Sequence, residues 1–154
     1  MAENPEAVLK SLGIDLPAVP APAANYVPSV RSGALLFVSG QVSIGPGAKF
    51  IGKLGRDMTV EEGQKAARVC AINILANIKG AIGSLDKVAR IVKLTGFVNC
   101  TLEFDEPHKV INGCSDLFVE VFGERGRHAR TSLGVSSLPL NITVEIEAVM
   151  EIRE

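Results

Sequence analysis

Ile142-Thr143-Val144-Glu145-Ile146-Glu147-Ala148-Val149-Met150-Glu151-Ile152-Arg153 is the stretch on which the fold turns. Its apolar members Ile142, Val144, Ile146, Ala148, Met150 and Ile152 alternate with Thr143, Glu145, Glu147, Val149, Glu151 and Arg153. Successive strand side chains point to opposite faces, so this two-residue period describes a strand with one apolar and one mostly polar face. Arg130 to Leu138 reads as the preceding strand and Pro139-Leu140-Asn141 as the turn between them. A terminal hairpin is the expected result.

Upstream, the period changes from two to between three and four. Pro107 opens a helix whose Val110, Cys114, Phe118 and Val121 share one face, and Gly123 ends it. Arg90 to Cys100 reads as a strand buried on much of both faces. Thr59-Val60-Glu61-Glu62 has the form of a capping box, the threonine and the second glutamate each reaching a backbone N–H of the other. The long helix it starts carries Gly63, Ala67, Cys70, Ile74, Ile78 and Ala81 on one face, small residues first, which allows close approach to a sheet. Ala34 to Ser39 and Lys49 to Gly52 read as strands joined through the Gly45-Pro46-Gly47 turn into a second hairpin. Asn4-Pro5-Glu6 starts a short helix that runs to about Leu12, with Gly13 as its stop. Leu16 to Ala24 holds three prolines among alanines and makes an extended arm.

The order is β-β-α-β-α-β-β, an α+β single domain with two helices on one face of a mixed sheet. The chain divides into an N-terminal helix and Pro/Ala arm over 1–23 and one domain over 24–154. The sheet's other face is then solvated or covered by a partner.

Composition narrows the function classes. The 154 residues are 47% hydrophobic and 21% charged, and the mean hydropathy is +0.27. No run approaches the ~18 consecutive apolar residues of a membrane span, so no membrane partner is expected. A domain this small has too much surface to hide such an apolar surplus alone, which points to contact between copies of the chain. Sixteen Lys and Arg against seventeen Asp and Glu leave a net charge of −1. Without a basic stripe the field that drives phosphate binding is missing, so no nucleic-acid partner is expected. Cys70, Cys100 and Cys114 have neither disulfide-scaffold nor zinc-ligand spacing and read as buried apolar residues of a reducing compartment. No metal or cofactor is expected. The acidic N-terminus lacks a secretory leader's pattern, and the cytoplasm is the expected location.

No phosphate loop, dinucleotide fingerprint or nucleophile elbow is present. Certain blocks do carry a resemblance. Asn25-Tyr26-Val27-Pro28, Phe37-Val38-Ser39-Gly40-Gln41-Val42, Ala129-Arg130-Thr131-Ser132, Ser137-Leu138-Pro139 and Val144-Glu145-Ile146-Glu147-Ala148 resemble, in order and spacing, those of the YjgF/RidA family. The resemblance spans about Ala24 to Ile152. It implies a bacterial chorismate mutase-like homotrimer, with helices outside a central sheet barrel and sites in the clefts between subunits. It further implies release of ammonia from reactive 2-imino and 2-enamino acids of the 2-aminoacrylate type. Residue by residue, Arg130 then holds the substrate carboxylate and Glu145 helps place the attacking water. Tyr26, Gly40, Asn112 and Ser132 complete the implied substrate-binding set.

The side chains suit that chemistry. A guanidinium is a rigid fork that takes a planar carboxylate through two parallel hydrogen bonds. Imine hydrolysis needs an anchored carboxylate, a positioned water and a proton route. The plain alternative is that Arg130 and Glu145 are sheet-edge charges, and that His108 and His128 are solvated helix-start and loop residues. In the expected terminal hairpin Glu145 lies opposite Gly134, about 13 Å along the strand from Arg130. The pair either meets across a subunit boundary or takes one ligand from opposite ends.

Two departures bear on substrate preference: His128 replaces the family's usual Pro, and Ser132 stands where many members have Cys. The leading reading is a deaminase acting on a small carboxylate-bearing metabolite. A regulatory protein that binds such a metabolite without turnover is the alternative. A ribonuclease or translation inhibitor fits poorly, with no basic face and only His108 and His128 as an acid/base pair.

Overall fold

The computed structural model describes residues 4–154; the first three residues of the 1–23 segment lie outside the described residues. Helix α1 spans Pro5–Ser11, where the Asn4 side chain accepts hydrogen bonds from the Glu6 and Ala7 backbone N–H groups. Its Leu9 is buried in the common core. Strands β1 (Ser29–Ser32) and β2 (Leu35–Val42) come next, then a two-residue ladder, β3 (Ile44–Gly45) with β4 (Ala48–Lys49). Helix α2 covers Val60–Ile82, and both halves of the Thr59/Glu62 capping box are formed. Strand β5 (Val88–Asn99), helix α3 (Pro107–Phe122), strand β6 (Ala129–Val135) and strand β7 (Val144–Ile152) complete the chain.

The main sheet has the order β1-β2-β7-β5-β6. Only β5 and β6 are parallel. The three helices pack on this mixed sheet, and the main-sheet elements run β-β-α-β-α-β-β as expected, except that the first two strands are Ser29–Ser32 and Leu35–Val42 in place of the expected Ala34 to Ser39 and Lys49 to Gly52.

Two strand pairings differ from those expected. No terminal hairpin forms: β6 pairs with β5, and β7 lies between β5 and β2. Helix α3 connects β5 to β6, and a crossover through a helix joins parallel neighbours. Strand β6 therefore takes one edge of β5 and leaves the other to β7. The link between β6 and β7 passes through Leu140 and Asn141, both at positive φ (57° and 56°). Asn99 ties it down by donating to Asn141 Oδ1 at 2.9 Å and to the Ile142 carbonyl at 3.0 Å. The second expected hairpin also fails. Both edges of β2 are occupied, by β1 and β7; past the short β3/β4 ladder, which holds the Ile44–Lys49 pair, Phe50 to Gly52 adds only an isolated bridge from Ile51 to Ile142.

The core lies between the sheet and the helices. Cys70, Ile74 and Ile78 of α2 and Val110, Cys114 and Phe118 of α3 are fully buried against Leu94, Val98, Val144 and Ile146. Each large apolar side chain buried there contributes about 1.5–3 kcal/mol. The α2 face stops at Ile78, since Ala81 is exposed. Small residues set the spacing: a Cβ on Gly113 of α3 would overlap the Gln64 backbone of α2. No described helix is long and apolar enough to cross a membrane.

No described helix packs on the other sheet face. Registered rows place Val30, Phe37, Val149 and Lys93 side by side, then Glu147, Thr95 and Thr131, then Glu145, Phe97 and Leu133. Val30, Phe37 and Leu133 are 53%, 44% and 45% exposed. Apolar and charged side chains share this uncovered surface.

Candidate functional site

Arg130 sits on edge strand β6 and turns towards α3. Its Nη1 donates to Asn112 Oδ1 at 2.8 Å and to Ser115 Oγ at 3.2 Å, and its Nη2 donates to the His108 carbonyl at 3.3 Å. A guanidinium has five N–H donors. Three are engaged by neutral acceptors, leaving Nε–H and one Nη2 hydrogen without a partner among the described residues. Those two form a fork suited to a carboxylate. Arg56, Arg68, Arg125 and Arg127 all pair with carboxylates, whereas Arg130 pairs with none among the described residues.

His108, Asn112 and Ser115 follow each other on α3 at intervals of four and three, a spacing that puts polar groups on one helical face. The family resemblance singles out Asn112 but not Ser115, although this stripe beside the apolar Val110/Cys114/Phe118 face is a readable signal. His128, expected as a solvated loop residue, is half-buried. Its Nδ1 lies 2.6 Å from the Gly126 carbonyl and its Nε2 lies 2.9 Å from Ser115 Oγ. Burial, and secondarily the charge of Arg130, lower its pKa below the ordinary value, against an opposing pull from the Gly126 hydrogen bond.

Ser132 lies two residues from Arg130 on the same strand face, with its Oγ buried and without a hydrogen-bond partner among the described residues. It is in register with Gly96, which stays side-chain-free because Ile111 fills the space where its Cβ would lie.

Glu145 and Gly40 form a second cluster, with Tyr26 beside Gly40. Gly40 occupies a bulge where the register of β2 against β7 shifts between Val38 and Gln41. A Cβ there would overlap Glu145 Oε1, so the missing side chain makes room for the carboxylate. Glu145 is half-buried and has no hydrogen-bond or ion-pair partner among the described residues. Burial first, and Glu147 second, push its pKa above the ordinary carboxylate value. Tyr26 is 57% exposed and joins Gly40, Pro20 and Pro22 around a cavity of about 170 Å³.

The two clusters do not meet within one chain. Through β5, Arg130 is in register with Leu94 and Ala148, three residues from Glu145 on β7. Two strand spacings and three residues put the Cα atoms on the order of 14 Å apart. Arg130 also faces the helices, while Glu145 lies on the uncovered face. The separation thus comes from the intervening strand β5 and from opposite sheet faces, rather than from hairpin register.

Comparison with known proteins gives the family. The sequence model described as "YjgF/chorismate mutase-like, putative endoribonuclease" matches residues 6–152. The chain belongs to the YjgF/RidA family. Protein TCP17 of Trypanosoma cruzi is 49% identical over 146 residues, covering 94% of this chain and 91% of that one. The crystal structure of Atu1372 from Agrobacterium tumefaciens, a family neighbour described as of unknown function, is 50% identical. It superposes with a TM-score of 0.90 over 97% of this chain and 92% of its own. Escherichia coli TdcF, solved with bound serine, is 27% identical with a TM-score of 0.57, over 90% and 92% of the two chains.

Proposed function

We propose that the protein hydrolyses small 2-imino and 2-enamino acids to 2-keto acids and ammonia, at clefts between the subunits of a homotrimer. The observation that carries this reading is the half-buried Arg130, held by three neutral acceptors with two fork donors left over. The 2-enamino acid takes up a proton at carbon to become the 2-imino acid. Water then adds to the C=N carbon, and the resulting carbinolamine expels ammonia as its C–N bond breaks and C=O forms. Arg130 anchors the carboxylate, and Glu145 orients the water and takes its proton. A carboxyl pushed upward by burial is a stronger base for that step than an ordinary one.

Because Arg130 and Glu145 occupy opposite faces of one sheet, a single site containing both needs a second copy of the chain. The partly apolar uncovered face, with Val30, Phe37 and Leu133, gives such copies a surface to bury. TdcF with bound serine is a family relative holding a small amino acid, which supports a ligand of that size here. A ribonuclease acid/base pair is disfavoured, since His128 uses both nitrogens on Ser115 and Gly126.

The test supplies 2-aminoacrylate generated in situ and measures ammonia and keto-acid release. Arg130→Ala is expected to abolish release while sedimentation still shows the trimer. Arg130→Lys loses the two-pronged contact, and one charge-assisted hydrogen bond of about 1.5–3 kcal/mol corresponds to a roughly 10- to 150-fold lower kcat/KM. Wild-type turnover by Arg130→Ala would overturn the assignment. Ligand binding without ammonia release in the wild type would favour the non-catalytic, carboxylate-binding alternative.

A further inference from the structure

Behind Arg130 the hydrogen bonds form a chain whose direction is fixed from one end. The Gly126 carbonyl can only accept, so His128 Nδ1 carries the proton in that contact of 2.6 Å. In the neutral ring Nε2 is then a bare acceptor, and at 2.9 Å it takes the Ser115 hydroxyl proton. Ser115 Oγ is left with lone pairs, one of which faces Arg130 Nη1 at 3.2 Å. Phe118 packs edge-on against the imidazole, with ring centroids 6.2 Å apart and planes at 86°.

We propose that Ser115 and His128 are a positioning pair that fixes the plane of the Arg130 guanidinium, so that its free fork is already aligned for the substrate carboxylate. This inference rests on the reading of Arg130 as the carboxylate anchor. A protonated His128 cannot serve in the same way. Its Nε2 becomes a donor, the Ser115 hydroxyl must reverse, and an imidazolium and a guanidinium then share one oxygen. The groups facing His128 set this balance. From α3 these are Ser115 and Phe118, both uncharged, and from β6 it is Arg130. On the preceding turn Arg127 pairs with Glu124 and Arg125 with Asp86. No carboxylate pairs with His128 among the described residues to favour its charged form. The aligned state therefore holds at neutral pH and is lost as pH falls through a His128 pKa below the ordinary 6.5.

The experiment measures kcat and KM for in situ 2-aminoacrylate from pH 5 to 8, with 2-oxobutyrate affinity by calorimetry as an independent readout. Ser115→Ala and His128→Phe are expected to raise KM and weaken 2-oxobutyrate binding about tenfold at neutral pH, with kcat changed little. Both are expected to lose the wild-type rise in KM below pH 6.5. His128→Gln returns an acceptor to Ser115 without a titrating group, and recovers part of the lost affinity but not the acid dependence. Circular dichroism and sedimentation check that each variant folds and assembles; His128→Gln and His128→Phe keep the test alive if Ser115→Ala does not. Wild-type KM and pH profile in these variants, with Arg130→Lys impaired, would remove the positioning pair and leave the anchor standing. Normal binding and turnover by Arg130→Lys would remove the anchor, and the pair with it.

Discussion

Gly40→Ala separates the fold from the site. An added Cβ at Gly40 would fall inside van der Waals distance of Glu145 Oε1, and 3.1 and 3.2 Å from its Cδ and Cγ. The three atoms nearest to it all belong to the outer part of one flexible side chain. Gly40 is also absent from the positive-φ glycines, so alanine adopts its backbone without strain. The stability change is therefore small, within about 1 kcal/mol, because alanine also restricts the unfolded chain. The carboxylate must still retreat by about 1 Å to reach ordinary contact distance. A misplacement of that size in a reacting constellation costs on the order of 100-fold in rate. Urea denaturation is expected to give a midpoint close to the wild type, while ammonia release from 2-aminoacrylate falls roughly 100-fold. Undiminished turnover by a folded Gly40→Ala protein would refute the reasoning, since the position of Glu145 would then not matter.

Gly113→Ala should do the reverse, lowering the denaturation midpoint. Its Cβ meets the Gln64 backbone, so α2 and α3 must move apart, and overpacking of about 1–3 kcal/mol exceeds the helix-propensity gain of about 1 kcal/mol. Burial pushes the Cys70 and Cys114 thiols well up and the Cys100 thiol up. In the folded protein Cys70 and Cys114 are expected to resist iodoacetamide, with little acceleration between pH 7 and 9 because they stay protonated there. All three thiols should label once urea unfolds the chain, as mass spectrometry would register.

Legibility varied with the range of the interaction involved. Asn4, Thr59 and Glu62, Pro107 and Gly123 announce helix ends because capping is settled within a few residues. The alternation from Val144 to Ile152 announces a strand and its buried face. It does not name the neighbours, because any strand with an apolar face of that length offers the same ladder. That is why adjacency in sequence suggests β6 as the neighbour of β7, whereas in the fold β7 lies between β5 and β2. The short strand β1 leaves no sequence signal, since Ser29–Ser32 has three exposed residues and no apolar period. At the site, Arg130 and Glu145 stand out through the motif blocks, whereas Ser115 and His128 meet in a contact that twelve intervening residues conceal.

The sequence by itself determined the helices, the two-faced last strand, the near-zero net charge and the presence of a lone arginine in a family motif. These follow from local capping, periodicity and composition, which act within a turn or two of chain. Only the tertiary structure decided which strands are neighbours, that Arg130 and Glu145 face opposite sides of one sheet, and that three neutral acceptors leave the arginine's fork open. Those outcomes depend on the α3 crossover and on side chains brought together from distant positions, and no local pattern encodes a distance between them.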